Sequence, residues 1–255
     1  MEVHAHTHTA RKKFTHYLWE FLMLFLAVFC GFLAENKREH MVEHKKAKAY
    51  AQSLLKDLKR DTTDLHTATI YEDLTVAMID SLLQLTEQPS YKGGAFYYYS
   101  RFANWHYNID WNKATMNQLI SSGNLRYFTN NELVTLISEY NTTTNTIIEL
   151  ETMVENSRVR AITFRDQIVK AYYSQLFFGI TLEDQVNGRH SALIDSLKNQ
   201  DLPLQSKDPA LINNYLNALL GTKTNRQTLK KRFCPLAIKK ATEIMTLLKE
   251  EYDIE

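Results

Sequence analysis

Glycine and proline are scarce in this chain, seven and four among 255 residues, well under ordinary usage. Few of either means few tight turns, which excludes a sheet protein needing one every 8–12 residues or so. Cysteine is rarer still. Cys30 lies in an apolar run and Cys234 far along the chain, so no disulfide framework exists and the redox compartment cannot be read. Charge of one sign is not in excess, with 30 Lys and Arg against 29 Asp and Glu, so no global field draws the chain to nucleic acid. Catalytic signatures are missing as well: no P-loop, GxGxxG, GxSxG, CxxC or HExxH occurs. That absence counts only lightly against an enzyme, since many active sites assemble from distant single residues.

What is present first is a long apolar run. Phe21 to Ala34 carries no polar side chain, and as helix it covers about 21 Å, short of the roughly 30 Å hydrocarbon core. Beginning at Tyr17 extends it to about 27 Å, with Tyr17 and Trp19 as interface aromatics and Glu20 near the headgroups or facing a partner helix. Apolar side chains on every face argue against a buried core helix. A cleaved signal peptide needs small residues at its cleavage site, where this sequence has Phe32 two before Ala34. Phe29 directly before Cys30 spoils a lipoprotein signal too. The expectation is an uncleaved transmembrane anchor over 17–35, with a His-rich basic tail over 1–16 and a helical soluble domain over 36–255.

Orientation is read from the flanks. Arg11, Lys12 and Lys13 precede the span, and Lys37, Arg38, Lys45, Lys46 and Lys48 follow it. A bare count favours a cytoplasmic C-terminal domain, while a short basic tail before a single span has the form of an N-in signal anchor. The second is preferred, placing the domain outside the cytoplasm. Within the span, Ala27, Gly31 and Ala34 would allow two copies to approach closely, and Glu20 adds a group that seeks a partner.

Beyond the span the pattern is helical throughout. Ala47, Ala51, Leu54, Leu58 and Leu65 keep a three–four spacing, resumed by Ile70, Leu74, Ala77, Leu82 and Leu85, with a kink or surface turn at Asp61-Thr62-Thr63. Pro89 and Gly93-Gly94 end this helix. An aromatic helix and loop over 96–111 follows, then a helix over about 112–122 stopped by Gly123-Asn124. A long helix runs from Asn130 or Asn131 to about Phe178, where Gly179 stops it, and a shorter one covers about 190–200. Asp208-Pro209 opens a helix ending at Gly221, and the last one, about 223–251, should kink or split at Pro235. The fold class is therefore all-α: an N-terminal transmembrane helix continuing into an elongated antiparallel helical bundle.

Several stretches together resemble an uncharacterised family of bacterial single-span membrane proteins: His4-Ala-His6-Thr-His8, RKKFTHYLWEFLMLFLAVFCGFLAEN, Arg38-Glu39-His40, YAQSLLKDLKRDT and, more faintly, NQLISSGNLRYFTNNEL. The resemblance implies the bacterial inner membrane, the anchor and the helical domain. It implies no activity, substrate or catalytic residue.

Candidate sites are few. His4, His6 and His8 alternate, so an extended tail points all three one way, a nitrogen-rich set suited to Zn²⁺, Ni²⁺ or Cu²⁺. His40 and His44 share a helix face at a spacing that suits two zinc ligands, with Glu39 or Glu43 beside them, but HMVEH is not the metalloprotease order. Tyr97, Tyr98, Arg101, Trp105 and Trp111 in the aromatic stretch would line a ligand pocket, or else cap a core. Lys223, Arg226, Lys230, Lys231, Arg232, Lys239 and Lys240 read as a solvated helix face, and no reader motif for nucleic acid accompanies them. No cofactor is implied. The reading that results is a non-enzymatic scaffold or protein-interaction module at the lipid bilayer, self-associating through its span or binding a protein partner. The alternative is a sensor for a small molecule or metal using the aromatic segment or the histidines. An enzyme would need a polar pocket that the sequence does not locate.

Overall fold

The structure, a computed structural model, describes residues 14–254, and among these every regular element is helical. The chain divides into two compact units, one ending at Tyr50 and the other beginning at Ala51. The first helix, α1 (Phe14–Thr86), runs through both. In the first unit the side chains of residues 14–42 are all exposed. This is the one stretch among the described residues that is long and apolar enough to cross a membrane. Phe21, Phe25 and Phe29 stack along one face with centroids 6.3 and 5.9 Å apart.

The second unit holds the remaining elements: α2 (Gly93–Ala103), α3 (Ala114–Ser121), α4 (Asn131–Ile168), the short α5 (Ala171–Ser174), α6 (Leu182–Val186), α7 (Ser191–Lys198), α8 (Pro209–Thr228) and α9 (Cys234–Tyr252). The expected kink at Asp61-Thr62-Thr63 does not occur. The helix continues, and the hydroxyls of Thr62 and Thr63 donate back to the carbonyls of Leu58 and Lys59, both at 2.9 Å, one turn earlier.

The buried stripe of α1 alternates steps of three and four without interruption: Ala51, Leu54, Leu58, Asp61, Leu65, Ala68, Glu72, Thr75, Ile79, Leu82. That is a coiled-coil-like seam with three polar members. Of the apolar set expected past residue 65, Leu82 lies on this stripe, Leu74 and Leu85 are half-buried beside it, and Ile70 and Ala77 are exposed. Polar side chains at 61, 72 and 75 had shifted the apparent stripe sideways. On α4 the same spacing buries Leu133, Ile137, Tyr140, Thr144, Ile147, Val154, Ala161 and Ile168, with Glu151, Arg158 and Arg165 at the intervening seam positions.

Two helix ends differ from expectation. The long α4 stops at Ile168 rather than near Phe178, because Val169 turns extended and the Ile168 carbonyl accepts the N–H groups of Gln205 (2.8 Å) and Ser206 (3.3 Å). Gly221 does not end α8, which runs on to Thr228. A π-helical turn, Leu229–Phe233, then joins it to α9. Its wider turn adds a residue, so the buried stripe steps from Leu229 to Cys234 and resumes through Ala237, Ala241, Ile244 and Leu248. The turn also comes just before Pro235, whose missing N–H and bulky ring an α-helix would not tolerate without distortion. Where the sequence predicts a break, the backbone absorbs the proline and keeps one face continuous. Asp208-Pro209 and Gly123 act as expected: Asp208 caps Ala210 N–H at 3.0 Å, and Gly123 takes a left-handed φ of 64° that favours glycine.

Cross-links fix the relative direction of the long helices within this unit. Asp73 pairs with Lys230 and Asp80 with Lys223, and Glu139 pairs with Lys240 while Gly221 faces Ser157. So α8–α9 runs against both α1 and α4. The bonds of the loop 104–113 described below run against α1 and α4 alike, which makes those two parallel to each other. The aromatic segment does not fold the chain into a simple hairpin of long helices.

Candidate functional site

The first unit carries the predicted span residues. Tyr17, Trp19, Ala27, Gly31 and Ala34 are all exposed, a Cβ at Gly31 would meet nothing within 4 Å, and Glu20 lies 3.0 Å from His16 one turn earlier. His40 and His44 are exposed, with His40 4.0 Å from Glu43. Among the described residues no group of three or more His, Cys, Asp or Glu converges as a metal site. His4, His6 and His8 lie outside the described residues.

In the second unit the aromatic segment is core. Tyr97 and Tyr98 are 2% and 3% exposed, among the rings of Phe96, Phe102 and Phe177. Their polar ends are already used: Tyr97 donates to the Pro203 carbonyl (3.1 Å) and accepts the Lys170 N–H (2.8 Å), and Tyr98 binds Gln185. Arg101 reaches the Ile180 carbonyl at 3.4 Å and lies over the Phe102 and Phe178 rings. Trp105 packs on the same core, while Trp111 is half-buried beside Lys113. The bonds of Tyr97, Tyr98 and Arg101 tie α2 to residues 170–203, and Trp111 lies apart from them beside Lys113.

The most elaborate polar construction is one the sequence reading missed. Residues 105–113 belong to no regular element, and side chains from three helices bond backbone groups along the segment 104–112. The Asn104 carbonyl accepts from Arg158 (3.4 Å) and the Trp105 carbonyl from Arg226. Ile109 N–H donates to Glu151 (3.4 Å), Asp110 N–H to Asp64 (2.6 Å) and Asn112 N–H to Asp61 (2.9 Å). Tyr107 donates to Asp64 and Tyr140 to Asp61 at 2.9 Å. The segment is a strap lying along the seam of α1 and α4 and pinned by the polar members of that seam.

At its upper end sits a buried ion pair. Arg226 is 1% exposed and Glu72 5%, and one guanidinium nitrogen reaches both carboxylate oxygens at 2.7 Å. Arg226 thus belongs to the core, which corrects the reading of the basic segment as a solvated face. Lys223, Lys230 and Lys240 likewise pair with acids on other helices, and Lys239 lies 3.8 Å from Glu243 on its own. Burial pushes the Glu151 carboxyl up to about 7, with the Ile109 N–H opposing and the neighbouring carboxylates Glu72 and Asp64 adding to the rise. Burial, and then the Arg226 charge, depress His106 to about 4. Burial also pushes the Cys234 thiol up to about 12, and both cysteines are free.

These shifts set a pH dependence. Glu151 holds its proton in the folded state, so its contribution is complete below the ordinary carboxylate value of 4.5 and is lost as pH rises through about 7. His106 acts oppositely: its contribution is present above 6.5 and is lost as pH falls through about 4. Between these limits the two slopes offset one another. Glu151→Gln removes only the first, so the variant should gain up to about 3 kcal/mol over the parent at pH 8 and nothing at pH 4. Urea unfolding of both proteins in detergent at the two pH values measures this; an equal difference at both would show that Glu151 does not titrate between them.

A polar side chain at a seam position was the available signal: keeping the three–four register from Ala51 would have put Asp61 and Glu72 indoors. Comparison of the chain with protein-family models, curated proteins and solved structures returns no match.

Proposed function

We propose that the chain is a single-pass protein of the bacterial inner membrane, anchored by residues 17–35. In this reading its helical domain binds or organises a protein partner outside the cytoplasm and catalyses no reaction. The observation that carries this is the first unit: one continuous helix with an apolar segment no residue of which is buried. Exposed Phe, Leu and Met on every side of a helix have no partner in water and a natural one in lipid. The resemblance to bacterial single-span proteins supports the same reading. Ala27, Gly31 and Ala34 are the positions through which two spans would meet. The basic residues of α8 and α9 spend much of their charge on acids of the same chain, which supports a protein rather than a nucleic-acid partner.

The test is retention and topology. The full chain should stay in membranes washed with alkaline carbonate and dissolve only in detergent, whereas a chain lacking residues 17–35 should appear in the soluble fraction. Alkaline phosphatase fused after Glu255 should be active, and a fluorescent protein at the same point dark. Release by carbonate, or a mature chain beginning near Glu35, would sink the anchor. A fluorescent, phosphatase-inactive fusion would reverse the orientation alone.

A further inference from the structure

The second unit contains a half-open cleft of about 580 Å³ between the C-terminal end of α1, the turn after it, and the N-terminal end of α8, within the size range of small-molecule sites. Its apolar floor includes Tyr91, Ile212 and Leu216, and Tyr91 is held there by stacking on the buried Phe96 at 5.9 Å. Glu87, Asp201 and Lys207 stand at its rim. Around the strap almost every charged side chain is committed to a partner. Here Glu87, Asp201 and Lys207 are exposed, and among the described residues none of their side chains makes a hydrogen bond or ion pair.

The two helix ends give the cleft a direction. A helix C-terminus carries partial negative charge and is normally balanced by basic residues in its last turn. The end of α1 has none and is followed by Glu87, so negative charge accumulates where it is locally unfavourable. The N-terminal end of α8 is already capped by the Asp208 carboxylate, which accepts the Ala210 N–H at 3.0 Å, so the positive charge on this side comes from Lys207 beside it. The cleft therefore has an uncompensated negative end at α1, one cation in Lys207 and an apolar floor.

We propose that this cleft binds a small zwitterion with an apolar side chain, such as a free aliphatic amino acid or a short apolar peptide. Its ammonium group sits against Glu87, Asp201 and the carbonyl end of α1. Its carboxylate sits against Lys207, and its side chain rests over Tyr91, Ile212 and Leu216. The site is separate from the aromatic segment and the histidines and does not depend on where the chain is anchored.

Isothermal titration of the full chain in detergent, with L-leucine and with leucyl-leucine, tests this directly. At least one of the two should give a saturable heat. Its affinity should fall about tenfold or more, equivalent to about 1.4 kcal/mol, for the analogues lacking one charge: N-acetyl-leucine or N-acetyl-leucyl-leucine, and the corresponding amides. Lys207→Glu, an exposed substitution whose unfolding midpoint is measured alongside, should weaken the unmodified probe by a similar factor. No saturable heat with either probe overturns the proposal. So does binding that survives the blocked analogues or the Lys207 variant, which would make the contact a non-specific apolar one.

Discussion

Replacing Arg226 with Met should cost about 3–5 kcal/mol of folding free energy, the usual penalty for leaving a buried charge without its partner. Arg226 is 1% exposed and its nitrogens serve Glu72 on α1 and the Trp105 carbonyl at the start of the strap. Removing it strands a carboxylate that is itself 5% exposed and leaves a buried carbonyl unmet. Glu72→Met should be similarly costly, because it strands the guanidinium instead. The double variant should recover most of the loss, since two methionines fill much of the same volume without charge. It should not recover all of it, because Trp105 still lacks its donor. Denaturant unfolding of the four proteins closes the cycle. Additive single losses would mean that the pair is not coupled. Hydrogen exchange adds a local readout: in both Arg226 variants the amides of Ile109, Asp110 and Asn112 should exchange faster than in the parent, with those of Leu133 and Ile137 less affected.

The same pair shows where sequence reading stopped. The long apolar helix near the N-terminus was legible because it is an unbroken run of apolar residues, and the helix ends at Gly123 and Asp208 were legible because the residues themselves dictate local backbone geometry. The seam of α1 was followed to Leu65 but its member Asp61 was passed over, because the true register there demands burying a carboxylate. A buried acid is costly unless paired, and its partners, Asn112 and Tyr140, are far away in sequence. The strap was invisible for the same reason: nothing in the order of residues 104–113 says that three other helices will supply its hydrogen bonds. The false stop at Gly221 shows the reverse error. Glycine merely permits a helix end, and here α8 packs past it with ordinary spacing to Ser157. At Pro235 the expected interruption takes the form of a π turn at Leu229–Phe233, after which α9 begins with the proline in its first turn.

Gly94→Ala should be the most damaging change of a single methyl group, at about 3 kcal/mol. A Cβ at residue 94 would lie 2.0 Å from the Leu197 carbonyl oxygen and 2.8 Å from that of Gln200, the second of which also accepts the Gly94 N–H at 2.9 Å. Both obstacles are backbone, so no rotamer change relieves them. Residues 197–202 must move away from α2, and the hydrogen bond goes with them. A Cβ at residue 93 would lie 1.8 Å from the Leu202 carbonyl oxygen, and its substitution should act the same way. Gly179→Ala is the control: a Cβ there meets nothing within 4 Å, and its cost should stay within about 0.5 kcal/mol. Thermal unfolding of the three variants in detergent distinguishes close packing from a general glycine effect, because the latter would make all three alike. The displaced segment includes Asp201 at the rim of the cleft. Its neighbours stay tethered through Tyr97 to Pro203 and through Gln205 and Ser206 to Ile168. Gly94→Ala should therefore loosen the α7 side of the unit while α4, α8 and α9 keep their exchange protection, and uniform loss of protection would show instead that the unit unfolds as one.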